Sequence, residues 1–268
     1  MLDISTRSID QFPFGDLRIL SRAGRGNFSV YVVRLASDPD KKVMALKLAK
    51  LDPSPLNGSS RGLFREFKIL RSLQHPNIIK VFRGFNNGLC FSFLMEYCPY
   101  GSLEAYIKHG DLDIVSLKKL TRQIGSALEY LHSKSIAHYD VKAANVLITP
   151  SFDFKLTDFD NASDALVEQH GIRGTFAYLA PEIMMGKAYN MSVDIWAFGV
   201  LLYFAAYHSL PFPEIDNALN MLKAVCKRNV SFPGTMPLQF EYLLQRMLEI
   251  NPELRLTWNE FRAVKFYS

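Results

Sequence analysis

Residues 136–149 read Ile-Ala-His138-Tyr139-Asp140-Val-Lys142-Ala-Ala-Asn145-Val-Leu-Ile-Thr149, and residues 154–160 read Phe-Lys-Leu-Thr-Asp158-Phe159-Asp160. The pattern is two short apolar strands with acids at their ends. From a tight loop, Asp140 can orient a hydroxyl while Lys142 neutralises the charge of a phosphate beside it. Asn145 and Asp158 add two oxygen donors, the ligand type that a hard cation such as Mg2+ takes. Phosphoryl transfer asks a protein for little more, because positioning and charge neutralisation do most of the catalysis. The same letters also fit a pair of Asp- and Asn-rich surface turns whose acids only bond backbone groups.

Taken together, these residues resemble the catalytic and metal-binding loops of eukaryotic protein kinases, H-R-D-L-x-x-x-N followed by D-F-G. Four fixed residue types in so short a window match by chance about once in 10^5 starting positions, if each type occurs about one time in twenty. Among the letters that differ, Tyr139 stands where the family carries Arg, and Asp160 where it carries Gly. The resemblance implies an α+β, two-lobed fold filling residues 1–268 as one kinase domain. Its N-lobe, β-rich with one regulatory helix, would cover about 14–96, a hinge about 96–101 and a mainly helical C-lobe about 102–268, with ATP between the lobes.

Length and composition allow this. A chain of 268 residues should bury roughly 70–75% of its unfolded surface. It is 49% hydrophobic, 21% charged and 13% aromatic, too apolar for a disordered chain. The net charge of +5 comes from 31 basic and 26 acidic residues spread along the chain, which suits nucleotide phosphates but makes no case for nucleic acid. Cys90, Cys98 and Cys226 show neither a C-x-x-C spacing nor an even count, so a reducing compartment is expected. The longest apolar run, residues 196–207, is shorter than a bilayer span and contains Gly199. No membrane anchor is expected, and the location should be cytoplasmic or nuclear.

Residues 1–14 read as a partly ordered lead-in. Strands over 16–23 and 30–35 flank Gly24-Arg25-Gly26-Asn27-Phe28-Ser29, a glycine-rich hairpin. Gly24 and Gly26 let backbone amides approach phosphates, though a plain tight turn reads the same way. Against the family's G-x-G-x-x-G-x-V, Ser29 replaces the third glycine and Tyr31 takes the valine position, where it would narrow the adenine pocket. A third strand over 43–49 is apolar on both faces apart from Lys47, whose ammonium requires anionic partners if buried. Lys47 matches the lysine of V-A-I-K, and Ala45 lies in the same strand. Residues 52–60 form a Pro, Gly and Ser loop. Leu63, Phe64, Phe67, Leu70 and Leu73 predict an amphipathic helix over 60–73. Glu66 beside its apolar face is either a surface glutamate or, by the resemblance, the partner of Lys47.

The helix stops at His75-Pro76-Asn77, and strands follow over 79–85 and 89–96. By resemblance, Met95 guards the back of the nucleotide pocket, Glu96, Tyr97 and Cys98 form the hinge that reads adenine, and Ser102 and Leu147 complete the nucleotide contacts. Pro99-Tyr100-Gly101 marks the boundary between lobes. Beyond it the pattern looks helical, with helices over 103–108, 117–132, 218–227 and 238–249. Residues 161–174 lack periodicity and read as a mobile loop. Gly174-Thr175 through Ala180-Pro181-Glu182 resembles the substrate-docking segment ending in A-P-E. The apolar helix beginning at Ser192 buries Asp194, which in the family bonds the catalytic-loop backbone. Arg255 sits where the family's arginine pairs with Glu182.

What the resemblance implies is a Ser/Thr protein kinase using ATP and Mg2+, acting on a protein Ser or Thr hydroxyl, with a regulatory protein as a further possible partner. Asp140 would orient the hydroxyl, Lys142 steady the γ-phosphoryl, Asn145 and Asp158 hold Mg2+, and Lys47 with Glu66 fix the ATP tail. Tyr139 cannot clamp a phosphate as Arg does, and the usual phosphoacceptor position falls on Gly171. Activity independent of phosphorylation there is expected. Asp160 adds a carboxylate that either strengthens cation binding or adds repulsion; reduced loop mobility with the metal site intact is expected, against a residue that only caps a turn. The alternative is a pseudokinase, a nucleotide-binding scaffold or allosteric module.

Overall fold

The structure, a computed structural model, describes residues 17–25, 28–36, 40, 42–49, 59–86, 91–165, 169–212, 218–227, 230–234, 236–264 and 266–267. The expectations for residues 1–14, for Gly26 and for most of the loop from Asp52 lie outside them. The chain divides into two compact units, Met1–Gln74 with Ile79–Tyr97, and His75–Ile78 with Cys98–Ser268.

In the first unit, β1 (Leu17–Arg25), β2 (Phe28–Leu35), β3 (Val43–Ala49), β4 (Val81–Asn86) and β5 (Phe91–Glu96) form an antiparallel sheet. The strand order is β1-β2-β3-β5-β4. Central β3 is buried from Met44 to Ala49, as its unbroken apolar run requires for a strand covered on both faces. One face gathers Tyr31, Val33, Met44, Leu46, Leu48, Phe85 and Leu94. Helix α1 (Ser59–Ser72) packs on the other, where Phe67 meets Phe91 and Phe93 with ring centroids 5.5 and 5.6 Å apart. Leu63, Glu66 and Leu70 form the buried stripe of α1, while Arg61, Arg65, Lys68 and Arg71 are exposed. An acid therefore occupies a helical position that the 3.6-residue period assigns to the core.

The second unit is mainly helical. Its helices are α2 (Leu103–Ile107), α3 (Ile114–Ser133), α4 (Pro181–Met184), α5 (Ser192–Tyr207), α6 (Ala218–Cys226), α7 (Leu238–Met247) and α8 (Trp258–Ala263). Asp113 caps α3 by accepting the Ser116 N–H at 2.7 Å, so the helix starts three residues before its first core leucine. Helix α5 is buried from Val193 to Tyr203, which explains its lack of a polar face. None of the helices among the described residues is long and apolar enough to cross a membrane.

Two small sheets accompany the helices: short strands are present within 136–149 and 154–160, as expected, and one further short strand falls in the segment expected as a loop. β6 (Ile136–Ala137) pairs with β9 (Ser163–Asp164), and β7 (Val146–Ile148) pairs with β8 (Phe154–Leu156). The segment expected as a mobile loop is thereby tied down at β9. It is tied again where Gln169 and Tyr189 exchange backbone bonds of 3.1 and 3.2 Å. Pairings this short leave no side-chain period to read. Residues 75–78 also join this unit, because the Leu156 N–H donates to the Asn77 carbonyl at 2.8 Å and Asn77 Nδ2 donates to the Phe154 carbonyl at 2.9 Å.

Candidate active site

In the first unit, β3 presents Lys47 toward α1, and its Nζ donates to both carboxylate oxygens of Glu66 at 2.8 Å. Their side chains are only 8% and 2% exposed. Neither charge could stay ionised alone at this depth, so the pair explains why each residue stands where an apolar one would otherwise pack. The Phe28 ring lies 4.8 Å from the ammonium. Ala45 and Met95 are cross-strand partners, as are Lys47 and Phe93, which puts all four on one face of the sheet. The Glu96 N–H donates to the Lys80 carbonyl at 2.9 Å, and its Oε1 accepts the Lys80 N–H at 2.8 Å. That backbone N–H is therefore engaged within the sheet. Gly24 lies at the end of β1 opposite Val30.

Tyr31 is a correction. It stands opposite Leu46 and is buried with Leu46 and Leu94, on the face away from Lys47. Val30, opposite Lys47, takes the place expected of Tyr31. Counting motif letters placed the side chain one residue out, and in a strand one residue reverses the face.

In the second unit, the loop after β6 folds back on itself. Lys142 Nζ donates to Asp140 Oδ2 at 2.7 Å, and Asn145 Nδ2 donates to the Asp140 carbonyl at 2.9 Å and to Oδ2 at 3.1 Å. Thr175, which the sequence reading assigned only to the docking segment, joins them. Its Oγ1 donates to Asp140 Oδ1 at 2.9 Å and accepts from Lys142 Nζ at 2.7 Å. A hydroxyl thus sits between a carboxylate and an ammonium. The approach is close because Gly174 has φ +99°, and a Cβ there would lie 2.7 Å from the Tyr139 carbonyl oxygen.

The loop is held from below by α5. Asp194 accepts the backbone N–H groups of His138 and Tyr139, each at 2.8 Å, and is met by His132 Nε2 at 3.0 Å. Trp258 Nε1–H donates to His132 Nδ1 at 3.0 Å, which leaves the other ring nitrogen to carry the hydrogen toward Asp194. Burial pushes the Asp194 carboxyl upward, but the His132 hydrogen bond and the nearby imidazoles outweigh it and hold the group below the ordinary carboxylate range. The brace keeps Tyr139 at φ +62°, a left-handed conformation that a bulky residue rarely adopts. Burial, then the charge of Asp194, raises the Tyr139 hydroxyl to about 12. The sequence reading anticipated Asp194 but not His132 or Trp258, since an i+62 contact and a ring donor on a distant helix leave no local trace.

Asp158 follows Thr157, whose N–H donates to the Asn145 carbonyl at 2.9 Å, so the two oxygen donors proposed for a cation lie on adjoining chain segments. Asp158 itself has φ +67°. Asp160 has no left-handed φ, so this turn does not call on the freedom of the family's glycine. Its Oδ1 accepts from Asn161 Nδ2 at 3.0 Å. Among the described residues no three His, Cys, Asp or Glu side chains gather around a cation position. One carboxylate and one amide oxygen suit Mg2+, which completes its shell with substrate phosphates and water. Cys98 is buried, and its carbonyl closes the turn by accepting the Gly101 N–H at 3.2 Å. Ser102 Oγ caps α2 through the Ala105 N–H at 3.2 Å, and the residue bridges Leu147.

The family described as the protein kinase domain matches residues 17–267. The chain is 31% identical over 261 residues to CBL-interacting serine/threonine-protein kinase 19 of Arabidopsis thaliana, covering 91% of this chain and 53% of that protein. It is 35% identical over 211 residues to 3-phosphoinositide-dependent protein kinase B of Dictyostelium discoideum, covering 76% and 23%. With Aurora kinase C of Mus musculus the identity is 29% over 259 residues, covering 96% and 93%. The chain thus spans about half the length of the first of these relatives and under a quarter of the second. A β-sheet unit carrying one helix, a mainly helical unit and a match over nearly every residue lead to one conclusion: this chain belongs to the protein kinase family and has its α+β, two-lobed fold.

Proposed function

We propose that the chain is an ATP-dependent protein Ser/Thr kinase, with an N-lobe over about 14–96, a hinge over 96–101 and a C-lobe from 102. The observation that carries this reading is the Thr175 hydroxyl held between Asp140 and Lys142, the geometry an acceptor Ser or Thr needs. In the reaction Asp140 orients the substrate hydroxyl and takes its proton, and Lys142 neutralises the γ-phosphoryl as charge builds on its oxygens. Lys47, oriented by Glu66, holds the α- and β-phosphates. Asn145 and Asp158 hold Mg2+, which supplies charge neutralisation at the phosphates. The family resemblance assigns nucleotide contacts to Ala45, Met95, Glu96, Cys98, Ser102 and Leu147, and phosphate contacts to Gly24 and Gly26. The substrate is a protein, and the cysteine spacing, with neither a C-x-x-C pair nor an even count, suits the cytoplasm or nucleus.

We take activity to be independent of phosphorylation between residues 161 and 173, because Tyr139 offers no cation to a phosphate and Gly171 no hydroxyl. A second reading, a nucleotide-binding scaffold that transfers little phosphate, is favoured by the departures at Tyr139 and Asp160. Mg-ATP turnover on a generic basic protein separates the two. Asp140→Asn is expected to lower turnover by about 10^2 to 10^4 fold. Equal background in both proteins contradicts the kinase reading.

A further inference from the structure

Three observations converge on Tyr139. Its ring is buried, yet its Oη has no hydrogen-bond partner, so the ring rather than the hydroxyl is what the fold uses. The Arg173 guanidinium lies over that ring, 5.8 Å from its centroid, and Arg173 Nη1 donates to Ser163 Oγ at 3.1 Å. The Tyr189 ring meets Tyr139 edge-on at 5.7 Å, and Tyr189 is the residue that pairs with Gln169. The start, middle and end of the segment from Ser163 to Thr175 are therefore fastened around one aromatic ring. The next two residues are Gly174, where an added Cβ would meet the Tyr139 carbonyl oxygen, and Thr175, which bonds the Asp140 carboxylate.

We propose that Arg173 is a positioning residue: by stacking on Tyr139 and bonding Ser163, it holds Thr175 and the docking segment in place for peptide substrates without a phosphate. This rests on the kinase reading and supplies the physical device behind its independence from phosphorylation. In this arrangement the cation sits on the segment from Ser163 to Thr175 and its partner on the catalytic loop is an uncharged π face, so the contact exists as soon as the chain folds. An aromatic face attracts a guanidinium most strongly where water is excluded, as the burial of Tyr139 provides.

The test uses phosphatase-treated protein and compares wild type, Arg173→Ala, Arg173→Lys and Tyr139→Leu. Arg173→Ala is expected to speed amide exchange in residues 163–175 and to lower kcat/KM for a peptide by about tenfold, with KM for ATP unchanged. Arg173→Lys is expected to recover part of both losses, since an ammonium also binds a ring face, and Tyr139→Leu to reproduce Arg173→Ala. Unchanged exchange and unchanged peptide kinetics in Arg173→Ala overturn the proposal, as does an equal loss in KM for ATP. Wild type that shows no turnover but yields the expected exchange differences refutes the kinase reading and leaves the clasp standing.

Discussion

Lys47 is tolerable on a strand covered on both faces because Glu66 reaches it with two oxygens. Removing one partner of such a pair strands the other charge, at about 3–5 kcal/mol, whereas replacing both by apolar side chains is often near neutral. Urea titrations are therefore expected to show Glu66→Leu as strongly destabilising and Lys47→Met/Glu66→Leu as closer to wild type, with phosphotransfer absent in the double variant. Equal destabilisation of single and double variants would contradict the pairing argument. Tyr139 behaves differently, since its Oη is buried without a partner. Tyr139→Phe is expected to leave stability unchanged or raise it by up to about 1 kcal/mol, and a loss larger than that would show that the hydroxyl matters. At this scale the sequence was informative wherever a charge stood in an apolar pattern, as at Lys47 and Glu66. It failed at Tyr31, whose face depends on strand phase rather than on motif letters, and at Arg173, whose partner is a ring 34 positions away in the chain.

Helix α5 acts on the catalytic loop through one carboxylate. Because the Asp194 pKa is depressed by folding, its contribution to stability is present in full above about pH 4 and is lost as pH falls through the folded value. Asp194→Asn puts an amide N–H2 where two backbone N–H donors converge, and is expected to cost about 3 kcal/mol or more. It should also remove that part of the acid limb of a stability–pH curve; a variant with an unaltered acid limb would show that the brace lies elsewhere. Gly174→Ala places a Cβ 2.7 Å from a carbonyl oxygen at a left-handed φ. It is expected to reduce peptide turnover at least about tenfold while leaving ATP binding intact, because backbone strain of this kind costs on the order of 1–3 kcal/mol. Helix α3 was legible from its apolar period and α5 from its unbroken apolar run. The β6–β9 pairing was not, since its bonds are made by backbone groups over two residues.

Across the whole molecule the chain order of the motifs, from Gly24 to Arg255, foretold membership of the family, because they recur in the family's order along nearly the whole chain. The buried Arg255–Glu182 fork, with bonds of 2.7 and 2.9 Å, was anticipated through the resemblance and ties the connection between α7 and α8 to α4. What a linear pattern does not carry is the network beneath the site, in which Trp258, His132 and Asp194 link α8, α3 and α5 to the catalytic loop. The central claim is the proposed binding of Mg-ATP, with Lys47 as a phosphate ligand and Asp158 as a Mg2+ ligand. It is tested most directly by calorimetric ATP titration, with and without Mg2+, of wild type, Lys47→Met and Asp158→Asn. Wild type is expected to bind ATP more tightly with Mg2+, both variants to lose about tenfold or more in Mg-ATP affinity, and Asp158→Asn to lose the Mg2+ dependence, as charge-assisted contacts of about 1.5–3 kcal/mol imply. Mg-ATP affinity unaffected by either substitution would contradict the account.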